Sequence, residues 1–187
     1  PFTYVATAEV IALLGATPVF VDVYESTFNI DCEKLESAIQ NTISEGKLKP
    51  KAIIPVDLFG VPARYRLIDG IAKKYDLKVI EDAAQSFGAS IRNQKVGTFG
   101  DVAATSFYPA KPLGCYGDGG AIFTDNDDLA EKCKAIRIHG TTTDRYHSEL
   151  IGLNGRLDSM QAAVLLEKLT IFDEELEMRN QVSNYYR

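Results

Sequence analysis

Short, dense apolar runs alternate along this chain with amphipathic stretches of helical period, from one end to the other. Thr7 is placed to cap a helix through Leu14 that Gly15 ends. Val19 to Val23 reads as a strand, Asp31 caps a helix through about Ser44, and Lys51 to Val56 returns as a buried strand. Leu67, Ile68, Ile71 and Ala72 sit at helical spacing and predict a helix from Ala63 to Tyr75, followed by a strand, Leu77 to Ile80, that delivers Asp82. Gly88, Gly97 and Gly100 mark turns before a strand from Val102 to Phe107, and Ala121 to Thr124 forms a further short one. Asp125 or Asn126 opens a helix through about Ile138, residues 140–152 have no period, and one long helix runs from Leu157 with a break near Phe172-Asp173. Strand and helix in turn predict an α/β fold with a mainly parallel sheet between helices.

The length of 187 residues and an ordinary apolar content are enough for one domain with a real core. The longest apolar runs, Val10 to Leu14 and Ala162 to Leu166, are too short to span a bilayer, and no basic segment precedes an apolar one at the N-terminus. The expectation is therefore a cytoplasmic protein without a membrane partner. A net charge of −6 argues against nucleic acid, since phosphate backbones demand basic patches. The lysines at 47, 49 and 51 lie in a polar stretch that reads as a solvated loop. Cys32, Cys115 and Cys133 are widely separated and, with His139 and His147, form no zinc spacing, so no metal is expected.

Two residues stand out chemically. Lys111 ends the run Thr105-Ser106-Phe107-Tyr108-Pro109-Ala110-Lys111, between an apolar strand and a loop closing on Gly117-Asp118-Gly119-Gly120. Pro109 stiffens the chain before it and Pro112 restricts Lys111 itself to extended backbone, so the amine is presented by a constrained loop. Asp82 lies at the C-terminal end of its strand, where ligands of open α/β sheets collect, while Glu81 alternates to the other face. A lysine able to form a Schiff base and a carboxylate able to keep a pyridine nitrogen protonated together point to pyridoxal phosphate.

The segments Pro1-Phe2-Thr3-Tyr4-Val5-Ala6-Thr7, Glu81-Asp82-Ala83-Ala84-Gln85, Ser106 to Lys111 and Gly152-Leu153-Asn154-Gly155-Arg156-Leu157-Asp158-Ser159-Met160-Gln161 occur in this order. Over nearly its whole length the chain resembles the DegT-type nucleotide-sugar aminotransferases, pyridoxal phosphate enzymes of fold type I. The resemblance implies that Tyr4 stacks on the cofactor ring, that Gln85 lies near its phenolic oxygen and that Ser106 binds its phosphate. It also implies a homodimer with shared active sites, in which Asn154 reaches the neighbouring subunit's cofactor phosphate. Arg137, His139, Arg145, His147 and Arg156 surround the aperiodic segment as candidate donors to an anionic substrate, His139 and Arg156 foremost.

The activity implied is transfer of an amino group from an amino acid, glutamate in most of the family, to the keto-sugar of a nucleotide-sugar. The motifs most resemble the branch that aminates C3 of UDP-linked keto-uronic acids for lipopolysaccharide O-antigen synthesis. The alternatives are C4 amination of a UDP-4-keto-sugar and a regulatory or sensor protein that keeps the fold without turnover. The start at Pro1 and the end at Arg187 inside a predicted helix lead to a further expectation. Residues 1–187 would be the cofactor-binding large domain, a fragment lacking an N-terminal segment and a C-terminal small domain.

Overall fold

The structure, a computed structural model, describes residues 1–142 and 146–186. It divides into two compact units, Pro1–Thr105 and Ser106–Arg187.

The first unit opens with α1 (Ala6–Leu13), then α2 (Cys32–Glu45), β1 (Ala52–Ile53), a short 3-10 turn (Leu58–Gly60), α3 (Tyr65–Tyr75) and β2 (Lys78–Asp82). A small hairpin follows, β3 (Ser90–Ile91) with β4 (Gln94–Lys95), and then β5 (Val102–Ser106). β2 is the centre of a parallel array: Ile53 pairs with Val79 on one side and Glu81 with Ala103 on the other. Parallel strands need a crossover, and α3 supplies it between β1 and β2. Ile68, Ala72 and Tyr65 of α3 pack with Leu35 and Ile39 of α2 against Ile53 and Val79, the apolar core of this unit. Tyr65 stacks on Phe99 with centroids 4.4 Å apart.

Local chemistry explains the boundaries. Asp31 Oδ1 accepts the N–H groups of Glu33 and Lys34 at 2.9 and 3.3 Å, satisfying two free donors at the start of α2, and Gly46 ends the helix at φ 67°. Two expectations fail here. The 19–23 run forms no ladder: Val23 makes a single antiparallel bridge to Ile30, and Phe20 is 60% exposed. An apolar run becomes a strand only where another edge receives its hydrogen bonds. Thr7 does not cap α1, whose N-cap is Val5 with no side-chain bond; Thr7 lies inside the helix and its hydroxyl goes elsewhere.

Phe28 and Phe59 both hold left-handed backbone, with φ of 59° and 56°. Their rings meet edge to face with centroids 5.8 Å apart, and Phe2 joins them at 5.1 and 6.1 Å. The buried Asn29 ties the two bends together, accepting the Leu58 N–H at 3.1 Å and donating to the Val61 carbonyl at 2.7 Å.

In the second unit the chain passes from the end of β5 through the lysine loop to β6 (Gly120–Phe123) and α4 (Asp127–Ile136). Asn126 caps α4, its side chain accepting the Leu129 N–H at 2.9 Å. The helix expected from Leu157 with a break near Phe172-Asp173 is α5 (Ser159–Leu169) and α6 (Phe172–Tyr185), the break falling two residues earlier, at Thr170-Ile171. Among the described residues no helix is long and apolar enough to cross a membrane.

Candidate functional site

Asp82 ends β2 half-buried, in register with Ala104 of β5 and bridged to Val56. Its Oδ2 accepts the Thr7 hydroxyl at 2.7 Å and its Oδ1 the Ala84 N–H at 3.2 Å. Each oxygen thus has one fixed donor and keeps a lone pair free, so the carboxylate is oriented without being saturated. Thr7 escaped the sequence reading, which gave its hydroxyl a local role; no local pattern announces a partner on a distant strand. Gln85 is half-buried in the turn after β2, where its Oε1 accepts the Phe59 N–H at 2.9 Å. That contact leaves the amide N–H pair free to donate. Tyr4 precedes α1 and is 70% exposed, an open aromatic face.

Behind Asp82 lies a buried acid pair that the sequence did not reveal. Glu81 points away from Asp82, as strand alternation requires, and its two oxygens accept the N–H groups of Gly97 and Phe99 at 2.8 and 3.0 Å. Asp57 Oδ1 accepts the Ala63 N–H and the Tyr65 hydroxyl, both at 2.8 Å, and Oδ2 accepts the Ser86 hydroxyl at 3.1 Å. The two carboxyl groups are within hydrogen-bond reach of each other and fully buried. Desolvation pushes both upward, Glu81 to about 7, with the neighbouring Asp57 charge adding to the rise. The pair therefore keeps a shared proton to higher pH than free carboxyl groups would. Asp57 also braces Asp82 directly, its N–H donating to the Asp82 carbonyl at 3.0 Å.

In the second unit Lys111 closes a turn in which its N–H donates to the Tyr108 carbonyl at 2.8 Å. The side chain is half-buried, and among the described residues its amine has no hydrogen-bond or ion-pair partner. Ser106 Oγ accepts the Tyr108 N–H at 3.2 Å, which leaves its O–H free to donate. Cys115 is fully buried, its thiol directed at the carbonyls of Phe107 and Gly117 at 3.0 and 3.1 Å, so it packs rather than reacts.

The segment after α4 folds back on itself, with Ile138 bridging Asn154 and the His139 N–H donating to the Leu153 carbonyl at 3.1 Å. Arg156 Nε donates to Asn154 Oδ1 at 2.9 Å, bringing these two predicted residues together with the Asn154 amide N–H pair still available. His139 and His147 are exposed, and His139 has φ 65°. Arg145 lies outside the described residues.

A phosphorylated pyridine cofactor needs a carboxylate for its ring nitrogen, an amine for its carbonyl and neutral donors for its oxygens. In the first unit the free lone pairs of Asp82 can accept from a ring nitrogen and the Gln85 amide can donate; in the second, the Lys111 amine, without a partner among the described residues, and the Ser106 hydroxyl have the chemistry for the carbonyl and the phosphate.

An α/β framework carrying such a set is the frame of an aminotransferase, and the chain belongs to the DegT/DnrJ/EryC1/StrS aminotransferase family, whose sequence model matches residues 1–187. It is 53% identical over 185 residues to the UDP-2-acetamido-2-deoxy-3-oxo-D-glucuronate aminotransferase of Pseudomonas aeruginosa, covering 99% of this chain and 49% of that protein. A DegT/DnrJ/EryC1/StrS aminotransferase from Brucella abortus has a solved structure that superposes with a TM-score of 0.97 at 56% identity, over 99% of this chain and 50% of that one. A Bacillus subtilis protein solved with the cofactor PMP bound superposes with a TM-score of 0.80 at 35% identity, over 91% of this chain and 37% of that one. The chain spans about half the length of the curated relatives it matches.

Proposed function

We propose that the protein containing this chain is a pyridoxal phosphate-dependent aminotransferase that moves an amino group from an amino acid, glutamate foremost, to C3 of a UDP-linked keto-uronic acid. The observation that carries this reading is the Asp82 carboxylate, held at the end of a central strand by Thr7 and Ala84 with a lone pair free on each oxygen. Its register partner Ala104 lies on the strand whose chain continues to Lys111. The likeness to the Pseudomonas aeruginosa enzyme favours the C3 keto-uronic acid over C4 amination, and a role in lipopolysaccharide precursor synthesis belongs to the same proposal, on the family resemblance alone.

Pyridoxal phosphate, when bound, supplies a conjugated ring that takes up the electron pair left when a proton departs from the substrate carbon. Asp82 would hold the proton on the ring nitrogen, with the Thr7 hydroxyl keeping that carboxylate aimed. Lys111 would be the covalent anchor, and its free Nζ would take the proton from the substrate carbon and return it on the other side of the transfer. In the second half-reaction the same nitrogen works in reverse, and the keto-sugar leaves as an amino-sugar. Gln85 would donate to the phenolic oxygen, Ser106 to the phosphate, and Tyr4 would cover the ring face. Asn154 serves the phosphate of the neighbouring subunit in a homodimer, and Arg156 and His139 face the substrate's diphosphate or carboxylate.

Borohydride reduction of the full-length protein followed by peptide mapping tests the assignment. The cofactor is expected on Lys111, and Lys111→Ala should abolish turnover while cofactor still binds without a covalent link. Attachment at another lysine would refute the reading. A full-length protein that carries cofactor on Lys111 yet aminates no keto-sugar would instead favour a regulatory role.

A further inference from the structure

The roles above use Lys111 but none of the groups that hold its loop. Two side chains of α5 grip the segment that follows it: Gln161 Oε1 accepts the Tyr116 N–H at 2.8 Å, and Lys168 Nζ donates to the Gly114 carbonyl at 2.6 Å. At their spacing along the helix both project from one face of α5. Lys168 is half-buried and pairs with no carboxylate among the described residues. Its ammonium also stands 5.6 Å from the Tyr116 ring centroid. A partly desolvated cation aimed at a neutral main-chain oxygen stiffens that carbonyl, because losing the contact would leave a charge short of partners.

Gly114 passes this restraint on. A Cβ there would lie 2.6 Å from the Pro109 carbonyl oxygen and 2.8 Å from that of Tyr108, so the backbone at 114 rests directly on the turn that presents Lys111. Lys111 N–H bonds to the same Tyr108 carbonyl, and the Cys115 N–H bonds to the Phe107 carbonyl at 2.8 Å. Displacement at 114 therefore reaches Lys111 through main-chain contacts alone.

We propose that Gln161 and Lys168 are positioning residues for Lys111, acting through the Gly114–Tyr116 backbone to fix where the Lys111 amine stands. The proposal rests on the reading of Lys111 as covalent anchor and proton carrier. A misplacement of about 1 Å at a reacting group can cost on the order of a hundredfold in rate, so the pair affects the chemical step rather than substrate binding.

The test uses the full-length protein with Lys168→Met, Lys168→Arg and Gln161→Leu. Hydrogen exchange of the 112–117 peptide is measured with cofactor stripped. The pH midpoint of the absorbance of cofactor on Lys111, kcat and KM are measured with cofactor present. Lys168→Met and Gln161→Leu should each speed exchange, shift the midpoint by about half a unit or more, and lower kcat about tenfold or more with KM nearly unchanged. Lys168→Arg, which keeps a donor, should recover most of the loss. Faster exchange with an unmoved midpoint and normal kcat would overturn the proposal and leave only packing; unchanged exchange would overturn the clamp itself. Gln161→Leu decides the matter by the same readouts if Lys168→Met fails to fold. Absence of cofactor from Lys111 in the unaltered protein would overturn the functional reading, and with it the catalytic half of the proposal, whereas a failed clamp with cofactor in place would leave that reading standing.

Discussion

Asp57→Asn should flatten the pH dependence of stability, because it removes one member of a buried acid pair while nearly keeping its shape. In the native protein Glu81 is raised to about 7 from an ordinary 4.5, chiefly by burial, and Asp57 is raised with it. A carboxyl raised on folding binds its proton more tightly in the folded state. Its stabilising contribution is complete below the unfolded value and is lost as pH rises through about 7. A rise of this size corresponds to about 3 kcal/mol between mildly acidic and alkaline pH. Set against a typical net stability of about 5–15 kcal/mol, that is a readily measured loss. The asparagine oxygen can still accept from Ala63 and Tyr65, while its new N–H pair faces Glu81 and Ser86 and supports an ionised Glu81. Urea unfolding of the full-length protein and the variant from pH 5 to pH 9 is the assay. The unaltered protein should weaken across that range and the variant should lose measurably less, since burial of Glu81 remains while the Asp57 charge is gone. Parallel curves for the two proteins would mean that Asp57 and Glu81 share no proton and that the account of the pair is wrong.

Thr7→Val should slow turnover by about tenfold, one charge-assisted hydrogen bond's worth, with little change in thermal stability, and Thr7→Ser should restore the rate; an unaffected Thr7→Val enzyme would remove Thr7 from the site. Asp82→Asn should cost far more in rate than in folding, which paired kinetic and unfolding measurements would check. Mixing inactive Lys111→Ala with inactive Asn154→Ala subunits should regenerate one intact site per exchanged dimer. No recovery despite confirmed exchange would mean that Asn154 serves its own subunit.

What the sequence made legible was what neighbours in the chain determine. Asp31 before α2, Asn126 before α4 and Asp82 at a strand end each follow from a side chain a few residues from the backbone it serves. Strand alternation also separated Asp82 from Glu81, and the structure puts their partners on different segments. The failures share a different cause. Thr7 finds its acceptor on β2, Asp57 meets Glu81 across a crossover, and Gln161 and Lys168 reach back to a loop laid down long before them. No periodicity encodes such pairs. The 19–23 run shows the converse, a strong local pattern left without the edge that would turn it into a ladder.

Phe28 and Phe59 carry a consequence for anyone who would make this protein more robust. Aromatic residues in left-handed backbone each store roughly 1–3 kcal/mol, and a glycine at either bend would release part of it. At Phe59 the gain comes with a liability, since the ring that glycine would remove is one of three that brace the bend whose backbone N–H orients Gln85. A heat-tolerance screen would thus reward glycine at 59 while loosening the turn after β2, so hardiness and turnover should be selected together at this position. Phe28 belongs to the same ring cluster, but the N–H that orients Gln85 is that of Phe59, so a change at 28 reaches the turn through the Phe59 ring.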